Sequence, residues 1–279
     1  MIMVFLLGPQ DRPSSCADCS KWNEAQRPFL IYGNTYYVGP HGLTSLLITS
    51  PTGHVLIDGA LSESVPLIVS NIRQLGFKVE DIRLIVNSHP HYDHAGGISE
   101  LQKLSGARVV ASDWTADVMR KGAVPRDDPQ FGLIRGIKAV SKVETLKDGE
   151  TLLAGSVAIT AHFTPGHTPG GTSWTWRACE QSRCLNFVYA DSLSPVSAAG
   201  FKFSRSKEAI AGFERSYAFL KSTPCDILVT PHPDNSNFWE RFDQRRTKPD
   251  AFVNPDACRR LAAAAEEQLQ QRLEAEKKP

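Results

Sequence analysis

Apolar and polar positions alternate in short runs along the first part of the chain. Runs rich in aromatic and β-branched residues, separated by Gly, Pro and Asn, predict a meander of β-strands between Phe29 and Gly59. Apolar residues then recur at helical spacing from Leu61 to Leu75, and Gly76 follows where a helix should end. A short apolar strand at residues 82–87 comes next. This part of the chain is therefore predicted to combine a sheet with a helix.

The rest of the chain repeats this order of strands followed by helices. The further predicted elements are helix 98–104, strand 107–111, a helix that contains Val118 and Met119 and is capped by Asp113, strands 157–163, 171–176, 185–189 and 226–230, and helices 207–220 and 255–273. The loop at residues 121–135 is expected to overhang a site. No linker divides the two halves, so we predict an α/β fold, a four-layer αβ/βα sandwich, in one domain at 21–279. Residues 1–20 are predicted to be a flexible segment or the remnant of a signal sequence.

Composition and charge narrow the classes of function. Hydrophobic residues make up 41% of the chain and charged residues 22%, which fits a globular protein with a sizeable core. The formal net charge is +1, so no basic surface indicates a nucleic-acid partner. No apolar run reaches the roughly 18 residues that a spanning helix needs.

Six cysteines lie at spacings that would allow pairing. Cys179 and Cys184 flank a short polar stretch, while Cys225 and Cys258 could join the C-terminal helix to the body of the protein. Cys16 and Cys19 have no second pair of Cys or His nearby, which disfavours a zinc knuckle. The even count indicates an oxidising compartment, although cytosolic thiols would give the same count.

Four potential metal ligands fall within six residues after the strand at 82–87. They are His89, His91, Asp93 and His94. Imidazole and carboxylate groups are ligands that zinc prefers, and in a core without a metal this cluster would leave costly unsatisfied polar groups. On a turn after a strand, two His side chains can point to one side and the Asp-His pair to another. The cluster therefore predicts a zinc site.

Two further histidines follow predicted strands. His167 lies between two Pro-containing turns at residues 164–170, and His232 lies between Pro231 and Pro233. Together with the cluster they supply six candidate ligands, enough for two metal ions with three protein ligands each. A metal ion with three protein ligands keeps a coordination position free for water, as catalytic zinc sites do.

Other polar residues are assigned from their position relative to the strands. His41, His54 and His162 have no ligand neighbours at useful spacing and are interpreted as structural. Asp58 either orients the cluster loop or is an ordinary turn aspartate at a strand end. Asp191, Ser192 and Ser194 follow the strand that ends at Tyr189, where the serine hydroxyls could hydrogen-bond a metal-bound water or a substrate carboxylate.

The order of these motifs resembles the metallo-β-lactamase superfamily. His-x-His-x-Asp-His with Gly-Gly, then Pro-Gly-His-Thr-Pro-Gly, then Thr-Pro-His, cover most of the chain from Tyr36 to His232. Tyr-Ala-Asp-Ser-Leu-Ser at residues 189–194 resembles the third subclass of class B metallo-β-lactamases, in which a serine replaces a metal-binding cysteine. The cysteine pairs 179/184 and 225/258 resemble disulfides of that subclass.

The resemblance implies a set of site residues. It places the first zinc on His89, His91 and His167, and the second zinc on Asp93, His94 and His232. Asp93 would also position the nucleophile, and Ser192 with Ser194 would contact the substrate carboxylate.

Two places depart from the family. Some members pair an N-terminal Cys with one at the place of His41, so Cys16 and Cys19 either pair with each other or stay free. The loop after Gly132, which reads Leu133-Ile134-Arg135, is less polar than the family leads us to expect.

The function implied by the resemblance is zinc-dependent hydrolysis of the β-lactam amide of penicillins, cephalosporins and carbapenems, giving antibiotic resistance. The alternative is another hydrolase of the superfamily, a glyoxalase-like thioesterase or a lactonase, in which an aspartate near the place of Asp191 would bridge the metals. A nuclease or a non-catalytic zinc-binding module is a weaker alternative. We expect a periplasmic or secreted monomer with a truncated or atypical signal sequence.

Overall fold

The computed structural model describes residues 16–278. Within this part of the chain, twelve strands and eight α-helices follow one another. The strands are β1 (Phe29–Tyr32), β2 (Thr35–Tyr37), β3 (Leu46–Ile48), β4 (His54–Ile57), β5 (Ile82–Val86), β6 (Arg108–Ala111), β7 (Glu144–Thr145), β8 (Thr151–Ala154), β9 (Val157–Phe163), β10 (Thr172–Glu180), β11 (Arg183–Tyr189) and β12 (Ile227–Val229). The helices are α1 (Cys19–Trp22), α2 (Val65–Gln74), α3 (Tyr92–Ala95), α4 (Ile98–Ser105), α5 (Asp113–Lys121), α6 (Lys207–Ser222), α7 (Phe238–Gln244) and α8 (Ala257–Glu276).

The first sheet contains β1 to β7 in chain order. Strands β1 to β4 pair antiparallel, whereas β4, β5, β6 and β7 pair in parallel. Strand β5 is buried at every residue except Arg83, because a parallel strand inside a sandwich is covered on both faces. Its apolar run therefore carries the chain directly into the predicted metal cluster.

The second sheet has the order β12-β11-β10-β9-β8. Strands β11 and β12 are parallel, with Tyr189 opposite Val229, and the other pairs are antiparallel. The carboxyl ends of β11 and β12 therefore lie side by side, and the segments that carry Asp191 and His232 leave the sheet at the same edge.

Three apolar clusters separate four layers. One cluster contains residues of both sheets, including Ile57, Trp174 and Phe187, and fills the space between the sheets. A second cluster packs α2, α4 and α5 on the first sheet, and a third packs α6 and α8 on the second. This arrangement confirms the predicted αβ/βα sandwich.

The structure corrects several details of the predicted elements. Helix α5 is capped by Ser112, whose side chain accepts a hydrogen bond from the backbone of Thr115, and not by Asp113, which is the first helical residue. Strands β7 and β8 and helices α1, α3 and α7 were not predicted. Strand β8 has only four residues, and helix α7 begins after Asn237, which adopts a left-handed φ of 49°. Short elements of this kind depend on tertiary packing rather than on a local pattern.

All six cysteines are paired. Cys16 pairs with Cys19, Cys179 with Cys184 across the turn between β10 and β11, and Cys225 with Cys258. The last of these joins α8 to the start of β12, as predicted. Most of the N-terminal segment predicted at 1–20 lies outside the described residues, and a single domain at 21–279 stays a prediction. Among residues 16–278, no helix combines the length and apolar character that crossing a membrane requires.

Candidate metal centre

The predicted ligand loops meet at one edge of the sandwich. The backbone N–H of Thr172 donates to Ser88 O at 2.8 Å, and Trp174 Nε1 donates to Asn87 O at 3.0 Å. These two hydrogen bonds fasten the start of β10 in the second sheet to the segment after β5 in the first. The loop that carries His167 is therefore held against the loop that carries His89 to His94.

The local fold explains the spacing of the cluster. His91 is extended, with φ −70° and ψ 153°, and it caps the one-turn helix α3, which contains Asp93 and His94. His91 thus lies on extended backbone before the helix, whereas Asp93 and His94 lie on the helical turn itself. The six predicted ligands form two groups of three, with every side chain buried or half-buried. The first triad is His89, His91 and His167, and the second triad is Asp93, His94 and His232. Within each triad the ligand atoms lie within 4.8 Å of one another.

Each histidine of the first triad has one ring nitrogen held by an acceptor. His89 Nδ1 lies 2.7 Å from Asp191 Oδ1, and His167 Nδ1 lies 2.8 Å from the backbone oxygen of Ser194. The other nitrogen of His89, Nε2, is buried and has no hydrogen-bond partner. A buried polar atom without a partner is costly unless something binds it, so this triad fits a metal ion.

The second triad is organised around one carboxylate oxygen. Asp93 Oδ2 lies 3.2 Å from His94 Nε2 and 3.3 Å from His232 Nε2. His94 is buried, whereas the side chain of His232 is 25% exposed and its ring lies 5.2 Å from that of Trp22. The set of one carboxylate and two imidazoles is one that zinc accepts, and it opens toward solvent on the side of His232.

Burial sets the protonation of these groups. Burial lowers the pKa of His89 well below its usual value and lowers the pKa of His167 to about 3, so both imidazoles are neutral and able to bind a metal at neutral pH. Burial would also lower the pKa of His94, but the Asp93 carboxylate outweighs it and the pKa of His94 is raised. Burial opposes ionisation of Asp93, yet the neighbouring His94 and His232 hold the pKa of Asp93 well below its usual value. Asp93 is therefore an ionised ligand candidate.

Asp58 orients the start of the ligand loop. Its Oδ1 accepts hydrogen bonds from Ser88 N at 2.7 Å and Asn87 Nδ2 at 2.8 Å, and its Oδ2 accepts from Ser88 Oγ and Tyr189 Oη. The residue is fully buried and adopts a left-handed φ of 58°. These contacts support the first of the two sequence interpretations, in which Asp58 orients the cluster loop.

Asp191 lies behind His89 rather than between the two triads. Its Oδ1 faces His89 Nδ1, and burial raises the pKa of Asp191 well above its usual value. A Cβ atom at Gly171 would collide with Asp191 Oδ2, so glycine at that position leaves room for the carboxylate. Asp191 is therefore placed to orient His89 and does not belong to either triad.

The serines that follow Asp191 lie at the same edge. Ser192 is buried, and Ser194 is half-buried with Oγ 3.3 Å from His167 Nδ1. Their predicted contact with a substrate carboxylate stays a prediction.

Two residues beside the site were missed by sequence reasoning. Asp128 Oδ2 lies 3.0 Å from His91 Nε2, and Gln130 Nε2 lies 3.3 Å from His167 Nε2. Both residues are buried. They belong to the loop that was expected to overhang the site. The sequence of that loop contains no motif or periodicity that distinguishes these two residues from their neighbours.

The remaining three histidines make contacts within the protein, and their structural role stays a prediction. His41 stacks on Trp239, His54 Nδ1 accepts a hydrogen bond from the backbone of Ser50, and His162 Nε2 lies 2.9 Å from Thr175 Oγ1. None of the three belongs to a metal-ligand triad.

Comparison with known proteins assigns the family. The family model described as the metallo-beta-lactamase superfamily matches residues 38–179. This chain belongs to the metallo-beta-lactamase superfamily. Among solved structures, the Rm3 metallo-beta-lactamase is 50% identical, with a TM-score of 0.92, over 94% of this chain and 99% of the other. MEM-A1, a subclass B3 metallo-beta-lactamase from a soil metagenome library, is 47% identical, with a TM-score of 0.89, over 91% and 98% of the two chains. The resemblance to the third subclass is therefore confirmed.

A curated relative is less similar in sequence. The N-acyl homoserine lactonase AttM of Agrobacterium fabrum is 28% identical over 160 residues. That match covers 47% of this chain and 58% of the lactonase. The family assignment and the buried His/Asp triads together identify a hydrolase with a metal centre.

Proposed function

We propose that this protein is a di-zinc metallo-β-lactamase that hydrolyses the β-lactam amide of penicillins, cephalosporins and carbapenems and so gives antibiotic resistance. The observation that carries the proposal is the position of Asp191. Its carboxylate is paired with His89 at 2.7 Å, on the side of the ring away from Nε2, and is therefore not directed between the triads as a bridging ligand would be. Similarity to Rm3 and MEM-A1 across nearly the whole chain supports the same activity.

The residues around the two triads have distinct proposed roles. Bound zinc would polarise the amide carbonyl and lower the pKa of water toward neutrality. His89, His91 and His167 would hold the first ion, and Asp93, His94 and His232 the second. The ionised Asp93 carboxylate accepts hydrogen bonds and would orient the attacking water beside the second triad. Ser192 and Ser194, at the end of β11, would bind the carboxylate that β-lactams carry.

A lactonase is the second candidate, because curated relatives such as AttM are described as N-acyl homoserine lactonases. In the rival mechanism an aspartate near the place of Asp191 would bridge both metals. That would require Asp191 to leave His89 Nδ1 and to move past a ring that is itself buried. The hydrogen bond therefore favours the lactamase over the lactonase.

The two activities can be separated with one purified sample. Zinc-loaded protein would be assayed with nitrocefin, meropenem and an N-acyl homoserine lactone, before and after treatment with a chelator. We expect turnover of nitrocefin and meropenem that disappears with the chelator and returns with zinc. Lactone hydrolysis with no β-lactam hydrolysis would overturn the proposal.

We further propose that the protein is a periplasmic or secreted monomer. Three disulfides support an oxidising compartment, since such bonds persist outside the reducing cytosol. Size-exclusion chromatography with light scattering tests the monomer, and a dimer mass at micromolar concentration would contradict it. Fractionation of producing cells tests the compartment, and protein confined to the cytosol would contradict it.

A further inference from the structure

The connection between α5 and β7, residues 122–143, places two buried polar side chains against the first triad. Asp128 and Gln130 are both buried, although they lie in a segment without regular secondary structure. Backbone hydrogen bonds fix this part of the connection. Asp128 N donates to Pro125 O at 3.1 Å, and Ala198 N donates to Pro129 O at 2.9 Å. The second bond ties the connection to the segment that follows Ser192 and Ser194.

One oxygen of Asp128 determines how His91 faces the site. Asp128 Oδ2 lies 3.0 Å from His91 Nε2, and the two side chains are only 1% and 5% exposed. Asp128 Oδ2 is placed to accept a hydrogen bond from His91 Nε2, and this contact favours the tautomer in which His91 Nε2 carries the proton. The lone pair of His91 is then on Nδ1, the nitrogen that faces the other ligands.

The other oxygen of Asp128 holds Gln130. Asp128 Oδ1 accepts a hydrogen bond from the backbone N–H of Gln130 at 2.8 Å. The side-chain amide of Gln130 then reaches the site, with Nε2 3.5 Å from His91 Nδ1 and 3.3 Å from His167 Nε2. A single buried carboxylate therefore orients one ligand and fixes the residue that faces two ligand nitrogens.

We propose that Asp128 is a positioning residue for the first metal site, which it prepares by fixing His91 with Nδ1 toward the metal and by holding Gln130 over the triad. The inference rests on the proposed function only in taking zinc as the metal. Acceptors that hold the far nitrogen of a histidine ligand typically contribute 10- to 100-fold to metal affinity. We expect Asp128 to contribute within that range.

The substitution Asp128→Asn tests the role with little change in shape. Asp128 presents two acceptor oxygens to two donors, His91 Nε2–H and the backbone N–H of Gln130. Asparagine presents one oxygen and one NH₂ group, so it cannot accept from both donors. Either His91 changes tautomer or Gln130 loses its hydrogen bond, and both results weaken the first site.

The neighbouring residue supplies a matched control. Asp127 is exposed, and its Oδ2 accepts a hydrogen bond from Trp114 Nε1 at 2.9 Å, away from all six ligands. Asp127→Asn therefore removes the same charge from the same connection without touching His91 or Gln130.

The experiment measures stepwise zinc affinity by competition with a chromophoric chelator for the wild type, Asp128→Asn and Asp127→Asn. We expect Asp128→Asn to weaken one of the two zinc-binding steps about 10- to 100-fold, with the other step and Asp127→Asn within about twofold of wild type. Wild-type affinity at both steps in Asp128→Asn would overturn the proposal. Far-ultraviolet circular dichroism of each metal-free variant checks that it is folded.

A second measurement needs no substitution and therefore no assumption about folding. Long-range ¹H–¹⁵N correlation spectra of the zinc-loaded wild type report which nitrogen of each histidine ring carries a proton. We expect the proton of His91 on Nε2, and a proton on Nδ1 would overturn the proposal. Neither readout depends on β-lactam turnover. If the protein hydrolysed lactones and not β-lactams but gave both expected results, the proposed substrate would be wrong and the role of Asp128 would stand. A wild type that binds no zinc would refute both.

Discussion

The two triads lie in one cleft, but they are held in different ways. In the first triad, each histidine is fixed from behind by a separate acceptor: His89 by Asp191, His91 by Asp128 and His167 by the backbone of Ser194. In the second triad, His94 and His232 share a single carboxylate oxygen of Asp93, and His94 Nδ1 is buried without a hydrogen-bond partner. The comparison indicates that the surrounding protein pre-organises the first site, whereas the second depends mainly on Asp93 and on the metal itself.

Removal of a ligand from the pre-organised triad should have the largest effect. His167→Ala is expected to abolish zinc binding at the first site and to lower nitrocefin kcat/KM about 10²- to 10³-fold. The reason is that a Lewis-acid metal contributes several kcal/mol to the transition state, and about 1.36 kcal/mol corresponds to a factor of ten. The measurements are zinc content by atomic emission and steady-state kinetics.

The matched control for that variant is His162→Ala, because His162 stacks on Phe219 and belongs to neither triad. It should keep two zinc ions per chain. If His167→Ala also kept two zinc ions, the assignment of the first triad would be wrong.

Removal of a ligand from the more open triad should have the next largest effect. His232→Ala is expected to leave one tightly bound zinc ion per chain and to lower meropenem hydrolysis about 10²-fold, since the second metal is lost while the first is retained. His41→Ala serves as the control, because His41 stacks on Trp239 and touches no ligand. Unchanged meropenem turnover with full zinc content in His232→Ala would contradict the account.

A smaller effect on zinc affinity is expected when Asp191, the acceptor behind His89, is substituted. Asp191→Asn should weaken zinc binding at the first site about tenfold and leave the second site unchanged, because it replaces the carboxylate behind His89 with a weaker, neutral acceptor and removes no ligand. Chelator competition measures both steps. Asp148→Asn is the control, since Asp148 only accepts a hydrogen bond from the backbone of Phe163. Loss of both zinc ions in Asp191→Asn would indicate a bridging aspartate and favour the lactonase.

The smallest effect is expected at the edge of the second triad. Trp22 packs against the ring of His232, whose side chain is 25% exposed. Aromatic contacts of this kind contribute about 0.5–1.5 kcal/mol, so Trp22→Ala should weaken the second site by about two- to tenfold. Trp114→Ala is the control, because Trp114 donates to Asp127 outside the site. An equal loss of affinity at both sites would contradict the separation of the two triads.

The sequence predicted some parts of this site and missed others for physical reasons. All six candidate ligands follow or lie beside apolar strands with clear boundaries, so their meeting at one edge could be expected from the sheet alone. Asp128 and Gln130 lie instead in a connection without periodicity, which a hydrogen bond from Ala198, far along the chain, helps to hold beside His91. Strand β8 and helix α7 were missed because four to seven residues carry too little pattern to outweigh tertiary contacts.

The most direct test of the central claim is a zinc titration of the metal-free protein, followed by the rate of nitrocefin hydrolysis. We expect turnover to rise with added zinc and to reach its plateau at two equivalents per chain, because both triads contribute to the reaction. Failure to hydrolyse nitrocefin at any zinc level, while an N-acyl homoserine lactone is hydrolysed by the same sample, would contradict it.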